Sequence, residues 1–506
     1  MDQQLSKNKI HHLTDLRTFR TGFWSLPKQF YIIFLIELWE RFAYYGVQSI
    51  AVIYFVKRLG MSDALSGELF ASFSGLLYAL LIVGGAIGDK VLGLGRTYLL
   101  GILFLIVGYA GLGLMHDVNQ LYLAMATIIV GNALFKTNAT NYVSRCFESN
   151  DPRLDSVFTY FYMAINIGSF LGLTIVPLVQ SYFGYHKAFA VCALAMIIGL
   201  IFYSIFRRSL HGVDNQAGKS NNKIKLKMLL VIAGSILVIF LLSYLLRSLS
   251  ITNIVFYAGV VLVLFIYFKI ASKLDHNEKK GMYVALILIL QSVVFWVVWM
   301  QTVTSWTLFA ANNMKLTLFG HEINPGITQS FAAFYLIVFS PILAQLYIYL
   351  YKKKINLSIP AKYSIGIVLA GSPFLLLFVG IAFFADSNFQ VSVVWLFFAY
   401  GLLAIAELLV SALGSSMVAK LLPKRLGGFA QGMWFLSLAV GMRLGGVVAT
   451  YAGVNQTNLH NPEMILKTYQ VLFFQLGLVT VMIGLVFGFF AKKLTKQMGE
   501  VLDHRS

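Results

Sequence analysis

FYIIFLIELWERFAYYGVQSIAVIYFV, residues 30–56, is long and apolar enough to cross a bilayer as a helix, yet it carries Glu37, Glu40 and Arg41 close to its centre. These three stand at i, i+3 and i+4, so a helix sets them on one face, and Tyr44, Tyr45 and Gln48 continue the same stripe. A charge at bilayer depth costs roughly 2.5–3.5 kcal/mol, so a span that places three together uses them.

Outward from this stretch the chain repeats the apolar part without the charges. Of its 506 residues 58% are hydrophobic and 12% charged, and the mean hydropathy is +0.77. That balance excludes a single soluble domain and fits a polytopic membrane protein. Fourteen spans are predicted, at 29–56, 69–88, 97–114, 121–143, 157–182, 188–206, 228–246, 251–268, 282–310, 327–351, 363–385, 391–419, 426–451 and 468–491. The Gly-, Asn-, Ser- and Lys-rich segment 207–227 reads as a linker. The expected organisation is a cytoplasmic tail (1–28), a six-helix bundle (29–206), the linker (207–227), two additional helices (228–268), a second six-helix bundle (282–491) and a cytoplasmic tail (492–506). The additional pair, apolar nearly all round, reads as a lipid-facing insertion. Two six-helix halves joined by a hinge are what alternating access requires.

The net charge of +19 does not point to nucleic acid. Thirty of the 39 Lys and Arg residues fall in alternate loops and the two tails, which puts both termini of a multi-pass membrane protein in the cytoplasm. Cys146 and Cys192 have neither the spacing nor the setting of a disulfide or metal pair. No nucleophile and base pair, metal cluster or phosphate loop is present, so an enzyme is not expected, nor a cofactor.

Outside the first span the interior charges are few: Lys136 in GNALFKTN, Glu407 in AELLVSALG and Arg443 in VGMRLGG. No other span interior, at these boundaries, has an acid. Two readings compete, a structural ion-pair network and a titrating set in which cations and protons compete for the carboxylates. No histidine lies in a span interior, so a proton relay runs through Glu37, Glu40 and Glu407. Arg443 reads as snorkelling outward or as a further cation for a pocket. In the loop expected after the second span, GGAIGDKVLGLGR (84–96) sets Asp89 and Arg96 among five glycines at the cytoplasmic surface, where they can pair or cap helix ends; GxxxDxxxGxGR resembles the loop signature of the major facilitator superfamily.

ELWERFAYYG (37–46) resembles the ExxERFxYYG motif of the proton-coupled oligopeptide transporter (POT) family, and FYMAINIGS (161–169) its FYxxINxGS signature. The likeness continues through GNALFKTN, ELLVS and GMWFL, and within the family it is greatest to the bacterial dipeptide and tripeptide permeases, which also have two extra helices between the halves. The resemblance implies the all-α major facilitator architecture and a central peptide cavity. Arg41 and Lys136 would neutralise the substrate carboxylate and Glu407 would hold its ammonium. Tyr45, Gln48, Tyr78, Tyr162, Asn166, Trp296, Ser411 and Trp434 would complete the substrate site, Glu37, Glu40, Arg41, Lys136 and Glu407 the proton coupling, and Asp89 and Arg96 the gating. The implied function is a proton-driven symporter, acting as a monomer, that imports dipeptides and tripeptides.

The chain departs from the family pattern in three places: Gln48 stands where many members have a basic residue, Met300 where many have a glutamate, and Ala332 and Ala333 replace an Asn-Pro pair. They keep open a symporter for a non-peptide zwitterion or anion, such as an amino acid or nitrate, or for a peptide-like drug. A transport-deficient binding or signalling protein on the same scaffold is the third reading.

Overall fold

The computed structural model describes residues 26–147, 154–211, 224–318, 320–353, 357–423, 426–451 and 461–503. Their long helices number fourteen: α1 (Lys28–Lys57), α2 (Asp63–Leu92), α3 (Leu94–Leu114), α4 (Val118–Arg145), α5 (Leu154–Phe183), α6 (Tyr185–His211), α7 (Ile224–Arg247), α8 (Leu249–Ser272), α9 (His276–Met300), α10 (Ser330–Lys352), α11 (Ile359–Phe384), α12 (Val393–Leu421), α13 (Gly427–Thr450) and α14 (Pro462–Asp503). Among the described residues thirteen spans are long and apolar enough to cross a membrane by length and composition alone; α1, with its three central charges, is not one of them. A short helix, Ser305–Asn313, extends α9, and two-residue strand pairs tie the adjacent loops.

Helices α1–α6 pack into one bundle and α9–α14 into another. The two sequence motifs of the first bundle meet because α1 and α5 lie close together. A methyl group added at Gly168 would fall 2.4 Å from the Leu38 carbonyl oxygen, and one at Gly172 2.3 Å from that of Phe42. Only glycine admits that approach. The same reasoning explains Gly84, where a methyl would sit 1.7 Å from the carbonyl oxygen of Ala133 on α4.

Several boundaries differ from the sequence reading. The segment 84–96 is not a loop up to Arg96, because α2 continues as a π turn through Leu92 and only Gly93, at φ 86°, breaks the helix. The tail expected at 492–506 is helical to Asp503, since α14 runs on past the span. Both ends of the expected linker belong to α6 and α7; residues 212–223 lie outside the described residues. Glu68, left out by a span starting at 69, lies inside α2.

The bundles are joined at one end. There Gln48 of α1 donates to Gln329 at 3.1 Å, Asn324 donates to Gln180 at 2.5 Å and to Ser181 at 2.8 Å, and Arg443 of α13 meets Glu68 of α2 at 2.8 Å. The opposite end, which bears Arg96, Arg145 and Lys420, holds exposed apolar side chains on α2 and α5, among them Ile82 and Phe158. The interior is therefore closed at the first end.

Candidate functional site

The interior cavity, about 190 Å³, lies between the bundles. Arg41, Tyr45, Gln48, Tyr78, Lys136, Tyr162 and Asn166 line it from the first bundle, and Trp296, Glu407 and Ser411 from the second. Tyr162 is 40% exposed, so the cavity is reached from the basic-loop end. Trp434 stands apart from this lining. It is buried against α12, where a methyl added to Gly414 would strike its ring at 2.0 Å.

Behind the cavity wall the charges of the first bundle form one network. Arg41 donates in two-pronged fashion to Glu40, from Nε to Oε2 at 2.5 Å and from Nη2 to Oε1 at 2.7 Å. This planar geometry is the strong form of the Arg–carboxylate pair. Asn132 of α4 adds an amide donor to Glu40 Oε1 at 3.1 Å. Lys136 Nζ donates to Glu37 Oε1, and Arg41 Nε stands 3.6 Å from the same oxygen. Both acids are fully buried, whereas Lys136 retains 20% side-chain exposure and so reaches the cavity. The Arg41 guanidinium also lies over the ring of Tyr44 at 5.0 Å, a cation–π contact that holds it on the α1 stripe. Glu37 Oε2 is buried and has no partner among the described residues. Two acids and two bases balance without a ligand, so an incoming carboxylate has to compete with Glu37 and Glu40 for the cations.

The facing wall carries a single acid. Glu407 Oε2 accepts the indole N–H of Trp299 at 3.0 Å, a neutral donor in place of a cation. Trp299 also lines the cavity and was not singled out from the sequence; the aromatic repeat in FWVVWMQ was its only signal. Ala332 and Ala333 line the same side, so the departure from the Asn-Pro pattern does face the interior. Met300 does not, since it is fully buried and packs where a methyl on Gly445 of α13 would touch its Cβ at 2.5 Å. Gln48 is spent on closure, through Gln329.

The remaining charged positions act elsewhere. Arg443 is 1% exposed and paired with Glu68, so it neither snorkels outward nor lines the cavity. Asp89 accepts from Asn141 at 3.5 Å, joining α2 to α4, and Arg96 Nη1 donates to the carbonyl of Leu92 at 3.2 Å across the break at Gly93. Both lie at the basic-loop end, remote from the cavity lining.

Two apposed helix bundles, shut at one end around a cavity with cations on one wall and an acid on the other, define a membrane transporter. The family model described as PTR2: POT family matches residues 95–484. The chain is 38% identical over 487 residues to "Dipeptide and tripeptide permease B" of Edwardsiella piscicida, covering 95% of this chain and 98% of that one. It is 41% identical over 463 residues to "Dipeptide and tripeptide permease A" of Erwinia pyrifoliae, covering 91% and 92%. The solved structure described as "Crystal structure of tetrameric PepTSo2 in I4 space group" superposes with a TM-score of 0.83 at 31% identity, covering 92% of this chain and 98% of that one. The chain belongs to the POT family of transporters, with the major facilitator architecture, and is not an enzyme.

Proposed function

We propose that the chain is a proton-coupled symporter that imports dipeptides and tripeptides by alternating access. The single observation that carries this reading is the distribution of charge: Arg41 and Lys136 line one wall and Glu407 the other. Charges of opposite sign on opposite walls suit a short zwitterion, and the hydroxyl and amide groups of Tyr45, Tyr78, Tyr162 and Asn166 suit the peptide backbone rather than its side chains. The permease names of its relatives support the same substrate class.

In this reading the peptide carboxylate takes Arg41 and Lys136 from Glu37 and Glu40, and a proton on the released acid keeps the buried cluster neutral. The proton gradient drives the cycle and no cofactor takes part. The distribution of basic residues supports cytoplasmic termini in a bacterial inner membrane, so the accessible end is the cytoplasmic one. The cavity is built within one chain, which supports transport by the monomer.

Uptake into liposomes under an imposed proton gradient tests the proposal. Accumulation of dipeptides and tripeptides, with no accumulation of free amino acids or nitrate, is the expected result. Amino acid or nitrate accumulation in place of peptide overturns the substrate class, and peptide binding without uptake by any of them overturns the transport reading.

A further inference from the structure

We propose that the inserted hairpin α7–α8 is a working part of the closure between the bundles, acting through Asn253. Arg443 Nη2 donates to Glu68 Oε1 at 2.8 Å, which pairs α13 of one bundle with α2 of the other. Asn253, in the second turn of α8, joins both partners: its Nδ2 donates to Glu68 Oε1 at 3.2 Å and its Oδ1 accepts from Arg443 Nη2. A side-chain amide offers a donor to the acid and an acceptor to the base at once, so it completes the pair without adding charge. The knot thus ties three bodies at one point.

The seam it closes is lined by small residues. Where α2 crosses α13 the contact runs through Gly67, Ala71 and Gly75 against Ala439, Gly446 and Ala449, and a methyl added at Gly446 would fall 2.2 Å from the Ala71 Cβ. Small residues let the helices lie close at these positions. The polar knot sits at the same seam, where Arg443 is almost fully buried.

The hairpin is seated on both bundles. Helix α7 packs along α4 of the first. Tyr267, toward the other end of α8, donates to the carbonyl of Met282 on α9 at 2.6 Å and lies 5.9 Å from the ring of Phe429 on α13 in the second. Thr252 donates to the carbonyls of Leu245 and Ser248, which fixes the turn between α7 and α8 and with it the neighbouring Asn253. Apart from these contacts and Phe256, which is buried beside Gly75 of α2, α8 is largely outward-facing, as the sequence suggested.

The test measures closure directly and needs no substrate, so its failure is separable from failure of the peptide reading. Nitroxide labels are placed at R58C and K467C, exposed at the closed end on the two bundles, in the full chain with Cys146 and Cys192 replaced, in nanodiscs. Asn253→Ala and Glu68→Gln are each expected to raise the ratio of long to short distances about tenfold, the scale of one charge-assisted hydrogen bond. The double variant should shift less than the sum of the two, because Asn253 and Glu68 share a hydrogen bond and both act on the same Arg443 guanidinium. Leu262→Ala, an outward-facing change on α8, should leave the distances as in the wild type. Wild-type distances in Asn253→Ala beside a shift in Glu68→Gln overturn the role of the hairpin, as do additive effects or an equal shift in Leu262→Ala. Wild-type distances in both overturn the knot itself. If Asn253→Ala does not fold, Asn253→Ser, whose hydroxyl is too short to span both partners, is read by the same outcomes.

Discussion

Glu40→Gln removes the charge that occupies Arg41 while keeping the size of the side chain. A peptide carboxylate that reaches the wild-type guanidinium has to replace two bonds, of 2.5 and 2.7 Å. Each charge-assisted hydrogen bond contributes about 1.5–3 kcal/mol, so relief from the competition is expected to tighten peptide binding at neutral pH by at least about tenfold. Without a peptide the variant leaves Arg41 with Glu37 at 3.6 Å as its nearest acid and the cluster one positive charge in excess. Stripping one partner from a buried pair costs about 3 kcal/mol, so the apo-protein melts lower and the peptide-induced rise in Tm grows. The sign with pH follows from the same competition. Protonating Glu40 frees Arg41, so wild-type affinity rises as the pH falls from 8 toward 5.5, and the variant shows a flatter profile. Calorimetric titration and thermal shift over that range are the assays, with liposome uptake beside them: gradient-driven accumulation is lost and counterflow is kept. A variant with wild-type Kd, wild-type pH slope and undiminished accumulation would refute the competition scheme.

Three further outcomes are expected. Glu407→Ala weakens free-amine dipeptides roughly tenfold and leaves N-acetylated ones unchanged, by calorimetry, because it removes the acid that faces the ammonium; equal loss for both sets refutes its role. Trp299→Phe keeps an aromatic ring but deletes the 3.0 Å donor to Glu407, and a several-fold loss confined to free-amine peptides is expected; unchanged affinity shows that the indole does not orient the carboxylate. Gly168→Ala forces a methyl to within 2.4 Å of the Leu38 carbonyl and is expected to cost about 1–3 kcal/mol, seen as a lower Tm in detergent; a wild-type Tm refutes the close α1–α5 crossing.

The helices and the first-bundle charge cluster were legible in the sequence because their signals are local. Apolar length marks each span, and Glu37, Glu40 and Arg41 share one helical face by spacing alone. What escaped depends on partners from distant parts of the chain. Glu68 fell outside a span drawn by hydropathy, and nothing near Arg443 announces that an acid on α2 and an amide on α8 wait for it. Gln48 read as a missing cation, whereas its amide bonds Gln329 across the seam, where a second cation would leave a charge in the closure. Met300 read as a lost acid of the pocket, but its side chain is sealed between α9 and α13. Pattern shows that a position is unusual; its neighbour across the interface decides what it does.

Charge accounting in the cavity bears on which substrate can be carried. Glu37, Glu40 and Glu407 against Arg41 and Lys136 are three acids and two bases, a formal charge of −1. A zwitterionic peptide adds none, so one proton, on the acid its carboxylate displaces, makes the loaded cavity neutral. The empty cavity without that proton retains its charge. Moving a neutral, closed cavity past low-dielectric surroundings is cheaper than moving a charged one, so in the proposed scheme the proton favours that transition, and the peptide favours it indirectly, by taking cations from an acid that then holds the proton more tightly. An anion such as nitrate brings a further negative charge and needs two protons to reach the same neutral state. Its binding should therefore rise with falling pH about twice as steeply as that of a dipeptide, and equal slopes for the two would show that neutrality of the cavity is not what selects the cargo.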